Sequence, residues 1–251
     1  MNNNARKLLG SFTDLIFPPL CPLCAKSKAI TKDCLIVKDG LCLECQKGTR
    51  AITSPICSLC GTPLAGAGSV ARCGACIKAE PPYKLARSAF HYDGPLLGAI
   101  HNFKYNGRTL LAPTLAALAA RALDGITKDF DKIVPIPLHK NRLQRRGFNQ
   151  SLLLARELLH SQRPLQNAGI DYRNLQRKRD TRSQIELKGR QRVANVKGAF
   201  SVIDKDAFKD KKVLLVDDVY TTGATIKECS RVLSACGAEV YALTLARVIR
   251  V

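Results

Sequence analysis

Residues 213–225 read VLLVDDVYTTGAT: an aliphatic run, two adjacent carboxylates, then a short loop of Thr, Gly and Ala. The continuous apolar stretch from Lys212 to Val216 is the pattern of a strand buried on both faces, which predicts a place inside a parallel sheet. Downstream, TIKECSRVLSACG takes up helical spacing near Ile226 and is stopped by Gly237. Asp217 and Asp218 are therefore expected at the carboxyl end of a strand, where open α/β sheets bind their ligands. Tyr220, Thr221, Thr222, Gly223, Ala224 and Thr225 form the loop into the helix. Gly223 and Ala224 allow close backbone approach, the threonines offer hydroxyls, and the helix N-terminus supplies N–H groups, which together make a phosphate cradle. Carboxylates repel phosphate, so the two acids are expected to accept hydrogen bonds from neighbouring hydroxyls or to hold Mg²⁺. A sugar phosphate meets both demands, whereas a DD pair on its own would be an ordinary solvated turn.

Working outward, the same alternation of strands and helices continues. RSAFHYDGPLLGAIHNFKYNG passes from an alternating apolar run to helical spacing. Leu110 to Leu123 is an Ala/Leu-rich helix, KIVPIPL a short buried strand ended by its prolines, and NQSLLLARELLH a helix with Asn149 or Ser151 as N-cap. IDYRNLQRKR reads as a strand running into a basic loop, and EVYALTLARVIR as the final strand. The fold class is α/β: a mostly parallel sheet with flanking helices. KAEPPYKLAR, before the first of these strands, reads as a linker, so two units are expected, residues 1–79 and 80–251.

Lys and Arg outnumber Asp and Glu by 40 to 20 over 251 residues, a field that attracts phosphate on nucleotides, nucleic acids or acidic lipid. Residues 140 to 197 hold fifteen Lys or Arg and four Asp or Glu, concentrating the excess just before the acidic motif. The longest apolar tract, Leu110 to Leu123, carries Arg121 and is shorter than the ~18 residues of a membrane span. Asp14 interrupts the apolar run DLIFPPL, and no small-residue cleavage site follows it. The expected location is cytoplasmic, with no membrane insertion.

Nine of the eleven cysteines precede residue 77, and eight of them form CxxC pairs: Cys21/Cys24, Cys42/Cys45, Cys57/Cys60 and Cys73/Cys76. A CxxC turn points two thiolates at one ion, and two such turns complete the S₄ shell that Zn²⁺ prefers. The spacing suits two consecutive zinc ribbons, each closed by one hairpin. Interleaved ligation, first pair with third and second with fourth, fits the same spacing. A disulfide framework would leave an odd cysteine and is disfavoured in a reducing compartment. With every coordination position taken by protein, both zincs are expected to be structural. So short a module buries little core, and metal would supply much of its folding free energy. Cys34, Cys229 and Cys236 are expected to pack as small buried residues.

The thirteen residues at 213–225 closely resemble the 5-phosphoribosyl-1-pyrophosphate (PRPP) loop of type I phosphoribosyltransferases: an aliphatic strand, two acids, then T-T-G-x-T. That resemblance implies ribose hydroxyls on Asp217 and Asp218, and the 5′-phosphate held by Tyr220 to Thr225. In PIPLHKNRLQRRGFNQ it places a pyrophosphate loop at Leu138, His139 and Lys140, with Arg142 and Arg146 assisting. In RKRDTRSQIELKGRQRVANVKGAF it places a mobile loop, with Arg179, Thr181 and Gln184 as ligands. The whole succession, double CxxC ribbon, FKYNGR, PIPLHKNRLQRRGFNQS, RDTRSQ and VLLVDDVYTTGAT, resembles the ComF family. This implies an N-terminal helix and double zinc ribbon joined to a type I phosphoribosyltransferase-like domain, with two Zn, Mg and PRPP as cofactors and substrate. It also implies natural competence, with single-stranded DNA and competence helicase-type proteins as partners. No segment supplies a base-recognition hood or a glutaminase half, so the acceptor is unassigned. The competing reading is a zinc-ribbon, single-stranded DNA-binding accessory protein without turnover. With aromatics at 6% of the chain and no Trp, its binding would be mainly electrostatic.

Overall fold

The computed structural model describes residues 20–26, 40–66, 71–126, 129–180 and 189–249. The expected N-terminal helix, the tips of the ribbon hairpins, Cys34, Thr181 and Gln184 lie outside these residues.

The aliphatic run becomes a strand, β6 (Lys212–Tyr220), in a five-stranded parallel sheet. Its partners are β1 (Leu85–His91), β2 (Lys132–Pro135), β3 (Gly169–Ile170) and β7 (Glu239–Arg247), in the order β1-β7-β6-β2-β3. β6 has neighbours on both edges, with Val216 beside Leu243 of β7 and Pro135 of β2. Its side chains alternate between two cores: Leu214 and Val216 enter one, Val213 and Leu215 the other. Hence the uninterrupted apolar pattern. The expected strand end at Val216 is too short, because pairing with β7 continues to Tyr220 beside Arg247, so the acidic pair lies within the strand.

Helices α3 (Gly94–Tyr105), α4 (Ala112–Ala120) and α6 (Gln150–Ser161) cover one face. Asn149, not Ser151, caps α6, its Oδ1 accepting from the amides of Ser151 (3.0 Å) and Leu152 (3.4 Å). The other face is covered by α8 (Ala224–Ser234) with α7 (Gly189–Val196) beside it. Residues read as one strand and loop at 170–179 form two pieces: β3 joins the main sheet, while β4 (Leu175–Arg177) pairs antiparallel with β5 (Phe200–Val202). None of the described helices is long and apolar enough to cross a membrane.

The stretch read as a linker is built in. Tyr83 is buried, the Lys84 amide donates to Val240 O (2.8 Å), and β1 begins at Leu85. The cysteine-rich module leans on the same sheet. Its residues 50–52 run along the outer edge of β1, Ile52 N donating to Ala89 O and His91 N to Arg50 O, both at 2.9 Å. That pairing covers an edge that would otherwise expose free N–H and C=O groups. Each ribbon ends in one short helical turn, α1 (Leu43–Gly48) or α2 (Gly74–Lys78). Cys21, Leu23, Leu41 and Cys45 join the core under α3, while Cys57, Cys60 and Cys76 join the opposite core with Tyr83 and Tyr220. The module thus shares the sheet's two cores.

Candidate functional site

The cysteines assemble into two clusters, Cys21/Cys24/Cys42/Cys45 and Cys57/Cys60/Cys73/Cys76, with all four sulfurs of each within 4.8 Å of one another. Ligation is consecutive, and the interleaved pairing is excluded. In both, one CxxC occupies a turn and the other opens a helix, Cys42 and Cys73 serving as N-caps. Sulfur separations of 3.7 Å (Cys24–Cys42) and 3.6 Å (Cys60–Cys73) match the about 3.8 Å between sulfurs bound tetrahedrally at 2.3 Å to one ion. The amides of Cys42 and Cys73 donate to Cys21 Sγ (3.4 Å) and Cys57 Sγ (3.3 Å). Burial would raise these two thiols, but such backbone N–H groups outweigh it, pulling Cys21 down to about 7 and Cys57 to about 6. Burial pushes Cys24, Cys45, Cys73 and Cys76 the other way, so one sulfur of each cluster is favoured as thiolate in the metal-free fold. Each cluster of four sulfurs fits a structural zinc with no open position. Cys229 is a fully buried core residue and Cys236 is partly buried.

A cleft of about 690 Å³ opens beyond the carboxyl ends of β2 and β6. Asp217 and Asp218 form its floor with Thr221 and Thr225 beside them, while Leu138, Arg142, Arg146 and Arg177 stand on the facing wall. Asp217 Oδ1 accepts from Ser151 Oγ and from the Asp218 amide, each at 2.9 Å. Burial, then the adjacent Asp218 charge, push the Asp217 carboxyl up to about 7, although Lys104 and these hydrogen bonds pull the other way. Asp218 is 2% exposed, and its Oδ1 receives Lys104 Nζ at 2.7 Å. Burial would lower the Lys104 ammonium, but the Asp218 carboxylate outweighs it and holds it up. Asp218 Oδ2 is buried without a hydrogen-bond partner. An orphaned carboxylate oxygen at the floor of a cleft is a place for a ligand hydroxyl or a divalent cation.

The loop after β6 turns at Gly223, whose φ of 74° is left-handed. A Cβ there would come within 2.0 Å of the Tyr220 hydroxyl. Thr222 Oγ1 accepts from the Ala224 amide (3.4 Å) as α8 begins. Tyr220 is 5% exposed, and its ring packs beneath Gly223 with its hydroxyl 2.9 Å from that of Tyr83. Its side chain is a support of the loop on the core side, while Thr221 and Thr225 face the cleft.

The segment after β2 is a loop only as far as His139. Residues Lys140–Arg146 form a helix, α5, with His139 Nδ1 accepting from the Asn141 amide (3.3 Å). α5 sets Arg142 and Arg146 one turn apart on the cleft wall, whereas exposed Lys140 and buried His139 are not among its lining residues. Arg146 lies over the Tyr105 ring at 5.1 Å. Arg179 turns to the end of α7, donating to Asn195 O (3.2 Å) and Lys197 O (2.8 Å), and Arg177 takes the wall position instead. Burial first, then Arg142, pull Arg177 down to about 10. The sequence reading missed Lys104, Ser151 and Arg177. FKYNGR carried a signal for Lys104, since a cation one helical step after buried Phe103 stands out. Arg177 was hidden in a basic run.

A carboxylate floor facing a cationic wall suits a ligand with hydroxyls at one end and phosphates at the other. Comparison with known proteins bears on this geometry. Residues 12–77 match the model of the double zinc ribbon domain, and residues 153–249 that of the phosphoribosyl transferase domain. Competence protein F of Haemophilus influenzae is 35% identical over 214 residues, 81% of this chain and 88% of that protein. DNA utilization protein YhgH of Salmonella typhi is 34% identical over 230 residues, 89% of this chain and 94% of that one. Competence protein ComFC of Bacillus subtilis is 28% identical over 215 residues, 83% and 85% of the two chains.

Proposed function

Because the chain belongs to the family of competence protein F, ComFC and YhgH, we propose that its cleft binds PRPP with Mg²⁺ and transfers the phosphoribosyl group to an acceptor nucleophile, in a pathway that takes up or uses DNA. The observation that carries this reading is the pair Asp217 and Asp218, one oxygen of it orphaned, set beside a loop that turns at Gly223 into the N-terminus of α8. In this reading the two acids accept the ribose hydroxyls or hold the cation, and Thr221, Thr225 and the start of α8 take the 5′-phosphate. Arg142, Arg146 and Arg177 attract the pyrophosphate and stabilise the charge that builds on it as its bond to C1 breaks and the acceptor's bond forms. Mg²⁺, when bound, would neutralise phosphate charge. Lys104 holds Asp218 in place through its 2.7 Å ion pair, so the floor is preorganised. Both zincs are structural, and their thiolates suit the reducing cytoplasm, where we place the protein.

Isothermal titration of PRPP with Mg²⁺ tests the site. The wild-type protein is expected to bind, and Asp217→Asn/Asp218→Asn to lose binding while remaining folded; unchanged affinity in the double variant overturns the reading.

A second reading has its own observation. The cationic wall continues past the cleft into a depression of about 340 Å³ lined by Lys104, Arg142, Arg145 and Arg146 with the Tyr105 ring. Such a surface suits single-stranded DNA held by its backbone, with or without turnover. Binding of an oligonucleotide should then fall steeply with salt; a flat salt response overturns it.

A further inference from the structure

Arg247, at the end of β7, is 3% exposed and joins parts of the molecule that are far apart in sequence. Its guanidinium lies flat over the Tyr220 ring, 3.7 Å from the centroid. One terminal nitrogen donates to Thr62 Oγ1 (3.1 Å), the other to the carbonyl oxygen of Cys60, and its Nε is buried without a partner. The Tyr220 ring in turn fills the space beneath Gly223 and meets Tyr83 hydroxyl to hydroxyl. Three contacts therefore run from the second cysteine cluster to the phosphate loop: Cys60 to Arg247, Arg247 to Tyr220, and Tyr220 to Gly223. The cluster is pressed onto the sheet from the same side. Gly61, at φ 70°, would place a Cβ 2.7 Å from Ala86 O, and the Ala86 amide donates to Leu59 O (2.8 Å).

We propose that Arg247 is a positioning residue that couples the second zinc cluster to the phosphate loop, so that zinc at Cys57, Cys60, Cys73 and Cys76 and a phosphate ester at Thr221 to Thr225 strengthen each other's binding. Geometry supplies the reason. Zinc would fix the Cys57–Cys60 turn, and the chain there presents the acceptors that hold the guanidinium, the carbonyl oxygen of Cys60 and Thr62 Oγ1. Beside them half-buried Arg87 donates to Ser58 O (3.1 Å) and Ala86 O (2.9 Å). A turn released by the metal no longer holds these acceptors in place, and a buried guanidinium without them is costly, a state relieved by its moving toward water. The Tyr220 ring then loses its lid and Gly223 its support. Coupling of this kind is reciprocal, so phosphate at the loop must also retain zinc at the cluster.

The phosphate half of this inference rests on the PRPP reading above, and the test separates the two. Amide hydrogen exchange is followed at residues 219–226 in the full chain, zinc-loaded and after Cys57→Ser/Cys60→Ser or Arg247→Met substitution. Arg247→Lys is added as a variant that keeps the charge but not the flat stack, with residues 154–158 of α6 and the zinc of the first cluster as controls of folding. Exchange should speed up at 219–226 and stay unchanged at 154–158, and Mg·PRPP affinity should drop roughly tenfold, a usual size for coupling between sites. A chromophoric zinc chelator should remove one zinc per chain more slowly when PRPP is present, and the other at the same rate. Unaltered exchange at 219–226 in Arg247→Met overturns the coupling whether or not PRPP binds. If the wild type binds no PRPP, the proposed function falls, and the exchange measurement still decides the role of Arg247.

Discussion

The two cysteine clusters have the same ligands and the same turn-then-helix construction, yet they lean on different parts of the molecule. Cys21, Cys24, Cys42 and Cys45 sit under α3, where Cys45, Leu23 and Leu41 join Leu96, Ile100 and Phe103 in an apolar core. Cys57, Cys60, Cys73 and Cys76 sit against half-buried Arg87, buried Arg247 and two tyrosines joined hydroxyl to hydroxyl. From the first cluster the route to the cleft runs along α3 to Lys104, about 15 Å of helix from its start. The route from the second is three side-chain contacts. Neighbours, and not the metal motif, decide whether a zinc site holds only its own ribbon or also a distant loop.

The strongest way to break that comparison is to remove each metal in turn. Zinc contributes on the order of 10 kcal/mol to folding of a small Cys₄ module, so Cys21→Ser/Cys24→Ser and Cys57→Ser/Cys60→Ser should each lower the melting temperature by a wide margin. Only the second pair should also weaken Mg·PRPP. Calorimetry at a temperature where both variants remain folded checks this, and equal losses of affinity would show that the clusters are equivalent supports.

The middle-sized effect lies at the far end of the first cluster's route. Lys104 is the counter-ion of Asp218, and Lys104→Met leaves that carboxylate buried and uncompensated, a loss of about 3 kcal/mol in unfolding free energy measured by denaturant titration. Asp218→Asn in the same background should recover much of it. A cost below about 1 kcal/mol would mean that water reaches the pair and screens it.

The sequence carries these parts unequally. β6, its acidic pair, the loop at Gly223 and the Asn149 cap are local patterns of a few residues, and period, turn chemistry and cap chemistry express them directly. The four CxxC pairs are likewise local, and their spacing suggests the consecutive grouping that the two clusters show while leaving the interleaved one open. α5 was read as loop because its apolar residues are too few to show a helical period. Arg247 to Thr62 and Tyr83 to Tyr220 join positions separated by 185 and 137 residues, so their meeting is a property of the finished fold. Arg179 and Arg177 show the limit most sharply. Two residues apart in one basic run, they would share a face of a continuous strand, but β4 ends at Arg177 and the chain bends at Arg179, so only Arg177 reaches the cleft.

The smallest effect concerns Asp217, through which the cleft responds to pH. Its carboxyl goes from an ordinary 3.8 in the unfolded chain to about 7 in the ligand-free fold. A raised acid pKa means that the folded protein holds a proton the unfolded chain has released, so this group's contribution to stability is complete below pH 3.8 and lost as pH rises toward 7. Thermal melts of the ligand-free protein between pH 5 and pH 8 should therefore slope downward, and Asp217→Asn should flatten that slope. Ser151→Ala removes the hydroxyl that favours the ionised form, at about 1 kcal/mol. It should shift the end of the slope to higher pH and move the onset of Mg·PRPP binding with it, because a cation or a ribose hydroxyl donor competes with the proton for the same carboxylate. A Ser151→Ala protein whose pH profiles overlay the wild type would mean that the backbone amide of Asp218 alone sets the state of Asp217, and that the floor is organised within β6, independently of the start of α6.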